Sequence, residues 1–154
     1  MPTAEERLHE LGLTLPQAAA PVANYVPWVQ LGNQLFLAGL ISQTPESQVL
    51  QGKLGATMTV DEGYQAARSC ALRAIASAKA ALGDLERLRR VVRMLGMVNS
   101  APDFTGQPQV MNGASDLLVE VFGDRGRHAR TAVGMASLPL GAAVEIEVLL
   151  EIDV

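Results

Sequence analysis

Two stretches of the chain show clear but different spacings of apolar residues. Between positions 60 and 82, apolar side chains recur every three or four residues, which predicts a long helix with one apolar stripe. The stripe is mostly alanine, so this helix can lie close against a sheet. Between positions 142 and 154, apolar residues alternate with mainly acidic ones, which predicts a strand with one buried and one polar face.

Turn-forming residues delimit the other elements. Gly32 and Asn33 are a two-residue hairpin signal between strands at 24–31 and 34–41. Pro27 predicts that the first strand lies at a sheet edge or has a bulged entry. The remaining elements, in chain order, are a short amphipathic helix at 3–12, an extended connector at 16–21, an interior strand at 88–98, a loop around Pro102, Gly106 and Pro108, a helix at 110–122 and a strand at 128–137.

This order, β-β-α-β-α-β-β after an N-terminal helix, predicts an α+β fold. Two helices cannot cover both faces of the sheet, so we expect both on one face in a two-layer sandwich. The uncovered face carries Glu145 and Glu147, which makes it too polar for a core but suitable for a subunit interface with a wet cleft. We therefore expect one domain over 1–154, with 1–21 as an extension, that forms a closed homo-oligomer.

Composition and charge restrict the class of protein. The chain has 154 residues, of which 49% are hydrophobic, a net charge of −4 and a single cysteine, Cys70. It can therefore build a core without disulfides, and it lacks the basic stripe typical of nucleic-acid binders. No apolar run is long enough to span a bilayer, and the polar, acidic first ten residues do not form a secretory signal. We expect a cytoplasmic protein without a membrane or nucleic-acid partner.

Common catalytic and cofactor motifs do not occur in the sequence. His9 and His128 are the only histidines, so metal ligands are scarce and Cys70 has no recognisable histidine partner. No GxGxxG follows a strand, and there is no Walker lysine or GxSxG elbow. We expect no metal site, no tightly held cofactor and an inert, buried thiol at Cys70.

Residues 130–147 carry the most informative chemistry, with an arginine on one strand and two carboxylates on the next. Arg130 stands among small residues, where a guanidinium can hold a planar carboxylate with two hydrogen bonds; a solvent-facing arginine is the plainer alternative. Glu145 and Glu147 form either an outer polar face or part of a cleft in which one of them handles protons or water. Tyr25 can wall an apolar pocket or pack in the core.

The same stretch resembles the C-terminal signature of the Rid (YjgF) family, long described as L-PSP endoribonucleases or translation inhibitors. The similarity extends from about Val22 to Val154, and the C-terminal part is the most specific. The matching segments are Arg130–Gly134, Leu138-Pro139 and Val144–Glu147, with weaker matches at Tyr25, seven residues before Gly32, at Leu37-Ala38-Gly39, at Pro102-Asp103-Phe104 and in the helix that holds Asn112.

The resemblance implies a fold and an activity. The fold is chorismate-mutase-like, and the assembly is a homotrimer with clefts between subunits. The implied activity is cofactor-independent hydrolysis of enamines and imines, such as 2-aminoacrylate, to 2-keto acids and ammonia. By the family's pattern, Arg130 binds the substrate carboxylate and Glu145 acts with the attacking water. Tyr25 lines the site, and Gly39 supplies a backbone contact.

The chain also departs from the family's pattern, as a divergent subgroup does. The glutamine that follows the family's glycine is Leu40 here, and the serine before the glycine is Ala38. A polar residue expected before Asp-Phe is Pro102, and an insertion lies between Phe104 and Arg130. With Leu40 shaping the substrate pocket, we expect the cleft to be less polar than in the family's deaminases.

Three functions are consistent with this sequence. The first is an enamine or imine deaminase that acts in clefts between trimer subunits, with Arg130 and Glu145 as catalytic residues. The second is a non-catalytic trimer that binds a small carboxylate-bearing metabolite and regulates a partner. The third is the ribonuclease activity of the older family description, which the acidic balance and the lack of a histidine pair disfavour.

Overall fold

The computed structural model describes residues 1–20 and 22–154, so the predicted connector at 16–21 ends at a residue outside the described ones. The described residues form three α-helices, six strands and three short 3₁₀ turns. The helices are α1 (Ala4–Glu10), α2 (Val60–Leu82) and α3 (Gln107–Phe122); the strands are β1 (Trp28–Leu31), β2 (Gln34–Leu37), β3 (Leu40–Ile41), β4 (Leu88–Asn99), β5 (Ala129–Met135) and β6 (Val144–Ile152); and the 3₁₀ turns are Leu85–Arg87, Gly123–Gly126 and Pro139–Gly141.

The strands form one mixed sheet, which confirms the predicted α+β class. The strand order is β1-β2-β6-β4-β5, and β3 pairs with β6 next to β2. Only the β4–β5 pair is parallel among these described strands. The alternation predicted for β6 is also confirmed, because its buried side chains pack into one core with α2 and α3: Val144, Ile146, Val148, Leu150 and Ile152.

The long helix α2 begins and ends where the sequence predicts. The Thr59 side chain accepts a hydrogen bond from the Glu62 N–H, and the Glu62 side chain accepts from the Thr59 N–H, which forms a capping box. Gly83 follows the helix with φ 77°, a conformation that glycine adopts without strain. Within the described residues, no helix combines the length and the apolar character needed to cross a membrane.

A glycine inside α3 is required by the contact between the two long helices. A Cβ atom at Gly113 would lie 1.9 Å from the backbone carbonyl oxygen of Tyr64 in α2. The helix therefore forms despite the lower helical propensity of glycine, since only glycine lets the two backbones approach this closely.

The strand predicted at 34–41 is in fact two strands, and this correction matters for the site. Phe36 pairs with Leu149, and Leu40 pairs with Ile146. The chain therefore advances four residues from β2 to β3 while β6 advances only three. The extra residue makes a bulge around Gly39, because the N–H of the preceding residue donates to the Pro27 carbonyl (2.9 Å) rather than to β6.

Two other element boundaries differ from the prediction. Helix α3 begins at Gln107 rather than at 110, because Pro108 occupies the first turn, where no N–H group is needed. The first strand begins at Trp28 rather than at 24, directly after Pro27. It lies at the edge of the sheet, as the proline predicted.

The sheet face opposite the helices carries an apolar row beside acidic residues. Val29, Phe36 and Leu149 lie side by side on β1, β2 and β6, and Val29 and Phe36 are 55% and 41% exposed. Glu145 and Glu147 lie further along β6 on the same face. We name this surface, made of these five residues, the open face.

Candidate active site

Arg130 lies on the edge strand β5 and points toward the helices. Its strand partner is Met94, whose side chain is fully buried among core residues on the helix side of the sheet. Nη1 of Arg130 donates to Oδ1 of Asn112 (3.0 Å) and to Oγ of Ser115 (3.1 Å), and Nη2 donates to the Pro108 carbonyl (3.3 Å). All three acceptors belong to α3, so this helix fixes the guanidinium at the sheet edge.

The charge of Arg130 is not neutralised by the residues that hold it. Its three acceptors are neutral oxygens, and the ion pairs formed within residues 1–20 and 22–154 do not include it. Three of the five N–H groups of the guanidinium are used in these bonds, which leaves two that can point at a ligand. A partly buried cation of this kind favours binding of an anion, and a carboxylate fits its planar geometry.

Ser115 and His128 complete the polar cluster around Arg130. Nδ1 of His128 lies 2.7 Å from the Gly126 carbonyl, and Nε2 lies 3.0 Å from Oγ of Ser115. A carbonyl oxygen only accepts, so Nδ1 carries the proton of the neutral ring and Nε2 accepts from the serine hydroxyl. Burial lowers the pKa of His128; the Gly126 carbonyl opposes this effect, and the charge of Arg130 adds to it.

Sequence reasoning did not find the contact between Ser115 and His128. The two residues lie on α3 and just before β5, and no spacing or motif links them. Their proximity arises from the packing of α3 against the edge strand, which positions Oγ of Ser115 between the imidazole and the Arg130 guanidinium.

Glu145 lies on the open face, and the bulge brings Gly39 next to it. A Cβ atom at Gly39 would lie 3.5 Å from both Cδ and Oε2 of Glu145, so the glycine leaves this side of the carboxylate uncovered. Burial raises the pKa of Glu145, and the negative charge of Glu147 adds to the rise. A carboxyl group with a raised pKa is suited to accept and return a proton near neutral pH.

The structure separates the other predicted site residues. Leu40 is 7% exposed and belongs to the core rather than to an open cleft. Tyr25 is 52% exposed and lies in the segment that precedes β1. Arg130 and Glu145 project from opposite faces of the sheet, so a single chain brings Gly39 and Glu145 together but leaves Arg130 apart from both.

A concavity lies where the end of β5 meets the start of α3, and its lining residues do not include Arg130 or the residues that hold it. It has an open volume of about 710 Å³, and Gln107, which lines it, precedes the Pro108 that accepts from Arg130. Nζ of Lys53 donates to Oδ1 of Asn99 and to the carbonyl of Ala136, each at 2.6 Å. Lys53 is therefore a second cation held by neutral oxygens, and Ala136 is one of the residues that line this concavity. The lining residues are Ser100, Ala101, Pro102, Phe104, Gln107, Gly134, Met135 and Ala136.

Cys70 and the acidic residues do not form a further centre. The Cys70 thiol is fully buried, and burial raises its pKa, as expected for an inert cysteine. In the described part of the chain, no group of three or more His, Cys, Asp or Glu side chains is arranged to hold a metal ion.

Comparison with known proteins assigns the chain to a family. The sequence model of the family described as "YjgF/chorismate mutase-like, putative endoribonuclease" matches residues 5–152. Protein TCP17 of Trypanosoma cruzi is 52% identical over 147 residues, which cover 95% of this chain and 92% of that protein.

Two solved structures are similar over nearly the whole chain. Atu1372 from Agrobacterium tumefaciens, described as of unknown function, is 47% identical with a TM-score of 0.91, covering 97% of this chain and 92% of that one. A protein described as a "putative endoribonuclease" from Shewanella oneidensis is 39% identical with a TM-score of 0.94, covering 98% and 100%. The chain therefore belongs to the YjgF/chorismate mutase-like family, as the signature in residues 130–147 predicted.

Proposed function

We propose that this protein hydrolyses small 2-imino acids or their enamine tautomers to 2-keto acids and ammonia, in clefts between copies of the chain. The observation that carries the proposal is the state of Arg130: a partly buried guanidinium, fixed by three neutral oxygens on α3, with no carboxylate partner among the described residues. A fixed cation without an opposite charge beside it favours a small ligand that carries one carboxylate.

Glu145 supplies the proton chemistry in this proposal. As water adds to the imine carbon, the Glu145 carboxylate takes one proton from the water, and a C–O bond forms while the C=N double bond becomes single. Glu145 returns this proton to nitrogen, which gives the neutral carbinolamine. The carboxylate then takes the hydroxyl proton and passes it to the amino group, so the C–N bond breaks with release of ammonia as the C=O bond forms. The raised pKa of Glu145 supports this role, because the group must both accept and donate at neutral pH.

The site requires two copies of the chain. Arg130 faces the helix side at the β5 edge, whereas Glu145 and Gly39 lie on the open face. A head-to-tail contact, in which the β5 edge of one copy meets the open face of the next, would unite them, and repetition of that contact around a three-fold axis closes a trimer. The exposed apolar row at Val29 and Phe36 supports an interface on this face.

Substrate positioning accounts for most of the catalysis in this proposal. Imines hydrolyse without an enzyme, so a site that holds the carboxylate at Arg130 and a water at Glu145 needs only to align them. The uncovered side of the carboxylate at Gly39 gives the reacting carbon room to approach.

The test is release of ammonia from imino acids generated in situ by an amino-acid oxidase, measured above the rate without protein. Arg130→Met should lower kcat/KM by about 100-fold or more, since a charge-assisted bidentate contact is lost. Arg127→Met is the matched control, because Arg127 is exposed and pairs with Asp124 away from the cluster. Equal ammonia release by the wild type and Arg130→Met would overturn the proposal.

Binding without turnover is a separate outcome of the same experiment. If pyruvate raises the Tm of the wild type by more than it raises the Tm of Arg130→Met, and no imine is hydrolysed faster than in buffer, the protein is a metabolite-binding module and not a deaminase.

A further inference from the structure

A second concavity lies on the other side of the molecule, between the N-terminal extension, the loop after β3 and the middle of α2. It consists of two adjoining spaces with open volumes of about 370 and 790 Å³. Pro16, Gln43, Thr44 and Arg73 line both spaces, so they form one continuous site, which we name the Arg73 pocket.

Arg73 provides an uncompensated cation in this pocket. Nη1 donates to the Ile41 carbonyl (2.7 Å), and no ion pair within residues 1–20 and 22–154 includes this guanidinium. Burial lowers the pKa of Arg73, which reflects the cost of removing the charge from water. A bound anion would offset that cost, because it supplies the missing opposite charge.

The rest of the pocket wall suits a small organic anion. Oγ of Ser69 accepts from the Gln43 N–H (3.2 Å) and donates to the Ala66 carbonyl (2.6 Å), so this serine holds the loop against α2. Oγ1 of Thr44 accepts from the Gln48 N–H (3.1 Å), which leaves its hydroxyl hydrogen free to donate to a ligand. Leu72 and the prolines supply apolar surface beside these polar groups.

We propose that the Arg73 pocket binds a small organic carboxylate, with the carboxylate on Arg73 and Thr44 and a short apolar part against Leu72. This site lies on the helix side of the sheet, whereas Glu145 and Gly39 of the proposed deaminase cleft lie on the opposite side, although Ile41 and Glu145 are strand partners. Arg73 contacts β3, whereas Arg130 lies on β5, and β6 and β4 separate these two strands. Three strand spacings correspond to roughly 14 Å, so one small molecule cannot occupy both sites.

The N-terminal extension forms part of this pocket. Thr14 and residues 16–20 line it, so the extension contributes to binding rather than serving as a connector alone. This role could not be predicted from the sequence, because the extension contains no charged residue between positions 11 and 20.

The experiment is a titration of protein labelled with ¹⁵N-arginine, in which the Nε–H resonances are followed as pyruvate is added. We expect a saturable shift of the Arg73 resonance in the wild type and in Arg130→Met; the spectrum of Arg73→Met lacks this resonance and so assigns it. Arg68 is the internal control, because it lies on the same helix but is paired with Glu120. Arg73→Lys, which keeps the charge, should retain the fold and bind more weakly.

Four results would overturn the proposal. The first is the absence of a saturable shift at Arg73 in the wild type. The second is a shift of Arg68 equal to that of Arg73, which would indicate general screening of surface charge. The third is saturation by inorganic phosphate but not by pyruvate, which would replace a carboxylate ligand with a phosphate. Loss of the Arg73 shift in Arg130→Met would show that the two sites are not independent, and it would contradict the proposal as well. None of these results bears on imine hydrolysis, so failure here is distinguishable from failure of the deaminase proposal.

Discussion

Oγ of Ser115 lies 3.0 Å from Nε2 of His128 and also accepts a hydrogen bond from Arg130. Nε2 of the neutral imidazole accepts a hydrogen bond from the serine hydroxyl, which directs a serine lone pair at the guanidinium. A protonated imidazole donates from both nitrogens, so the serine would face two donors and its own hydrogen would lose its acceptor. The charge state of His128 is therefore coupled to the positioning of Arg130.

We expect acidification to destabilise the wild type through His128. Its folded pKa lies below the ordinary value of 6.5, so between the two values the unfolded chain binds more protons than the folded chain. The unfolding free energy should accordingly fall as the pH drops below about 6.5. Urea unfolding at a series of pH values, for the wild type and His128→Gln, measures this contribution, because exposed His9 is present in both.

The unfolding free energy of His128→Gln should depend less on pH than that of the wild type. It should also fall less at acid pH, because glutamine takes up no proton. Identical slopes of unfolding free energy against pH for the wild type and His128→Gln would contradict the assigned burial of the neutral ring.

Glu145 should reduce stability at neutral pH. Burial and the charge of Glu147 raise its pKa above 4.5, so the folded chain binds more protons than the unfolded chain just above that value. Stability from this group is therefore greatest at low pH and is lost as the pH rises through the folded pKa. We expect Glu145→Gln to raise the unfolding free energy at pH 7 and to have little effect near pH 4, as measured by urea unfolding at fixed protein concentration.

Glu147→Gln is the matched comparison, because it removes the neighbouring charge but leaves the Glu145 carboxyl in place. It should give a smaller gain at pH 7 than Glu145→Gln does. A loss of stability in Glu145→Gln at pH 7 would show that the ionised carboxylate has a stabilising partner.

Gly39→Ala tests the approach to the Glu145 carboxylate. The added methyl group would lie at ordinary van der Waals distance, 3.5 Å from Oε2, and the backbone at Gly39 is not in the left-handed region. We therefore expect the unfolding free energy to change by less than about 1 kcal/mol, while imine hydrolysis falls about tenfold or more because the methyl covers the carboxylate.

Gly12→Ala is the control for this experiment, since nothing lies within 4 Å of its Cβ position but its φ is +70°. It should cost about 1 kcal/mol of stability and leave hydrolysis unchanged. Full activity of Gly39→Ala would show that the reacting carbon does not approach the Glu145 carboxylate from the Gly39 side.

The sequence predicts the local elements well because their signals are local. The spacing of alanines in α2, the capping box at Thr59 and the alternation along β6 each lie within a single element. The bulge at Gly39 could not be predicted in this way, because it depends on the register of two strands against a third that is more than 100 residues away. The burial of Leu40 follows from the same register.

The polar cluster around Arg130 shows the same limit. The sequence indicates that Arg130 can bind a carboxylate. Its contacts with Asn112 and Ser115 could not be predicted, because they depend on how α3 packs on β5. The resemblance to a family supplied the role of Glu145, whereas the separation of the two residues on opposite faces follows only from the sheet register.

Gly113→Ala should strongly destabilise the fold. Its Cβ would lie 1.9 Å from a backbone oxygen of α2, which cannot move as a side chain can, so the two helices must separate. We expect a loss of about 3 kcal/mol or more in urea unfolding. Gln109→Ala on the exposed first turn of the same helix should change stability by less than about 0.5 kcal/mol. Similar losses in both variants would argue against the close contact of α2 and α3.

Complementation between two inactive variants tests whether the deaminase cleft is shared. Arg130→Met retains Glu145, and Glu145→Gln retains Arg130, so each variant alone should be inactive if both residues are required. In a mixed head-to-tail trimer, a cleft is intact when the copy that contributes its β5 edge has Arg130 and the next copy has Glu145. Each mixed trimer then has one intact cleft in three, whereas random co-assembly that includes unmixed trimers averages roughly one quarter.

We therefore expect co-expression of the two variants with different affinity tags, followed by purification through both tags, to restore a substantial fraction of wild-type imine hydrolysis. The double variant, co-expressed with the wild type, provides the control for dilution of intact subunits. Activity confined to wild-type homo-oligomers, with none in the mixed assembly, would mean that Arg130 and Glu145 of one chain serve the same cleft. Because the two side chains leave the sheet on opposite faces, that result would require a rearrangement of β5 or β6 and would exclude the head-to-tail assembly proposed above.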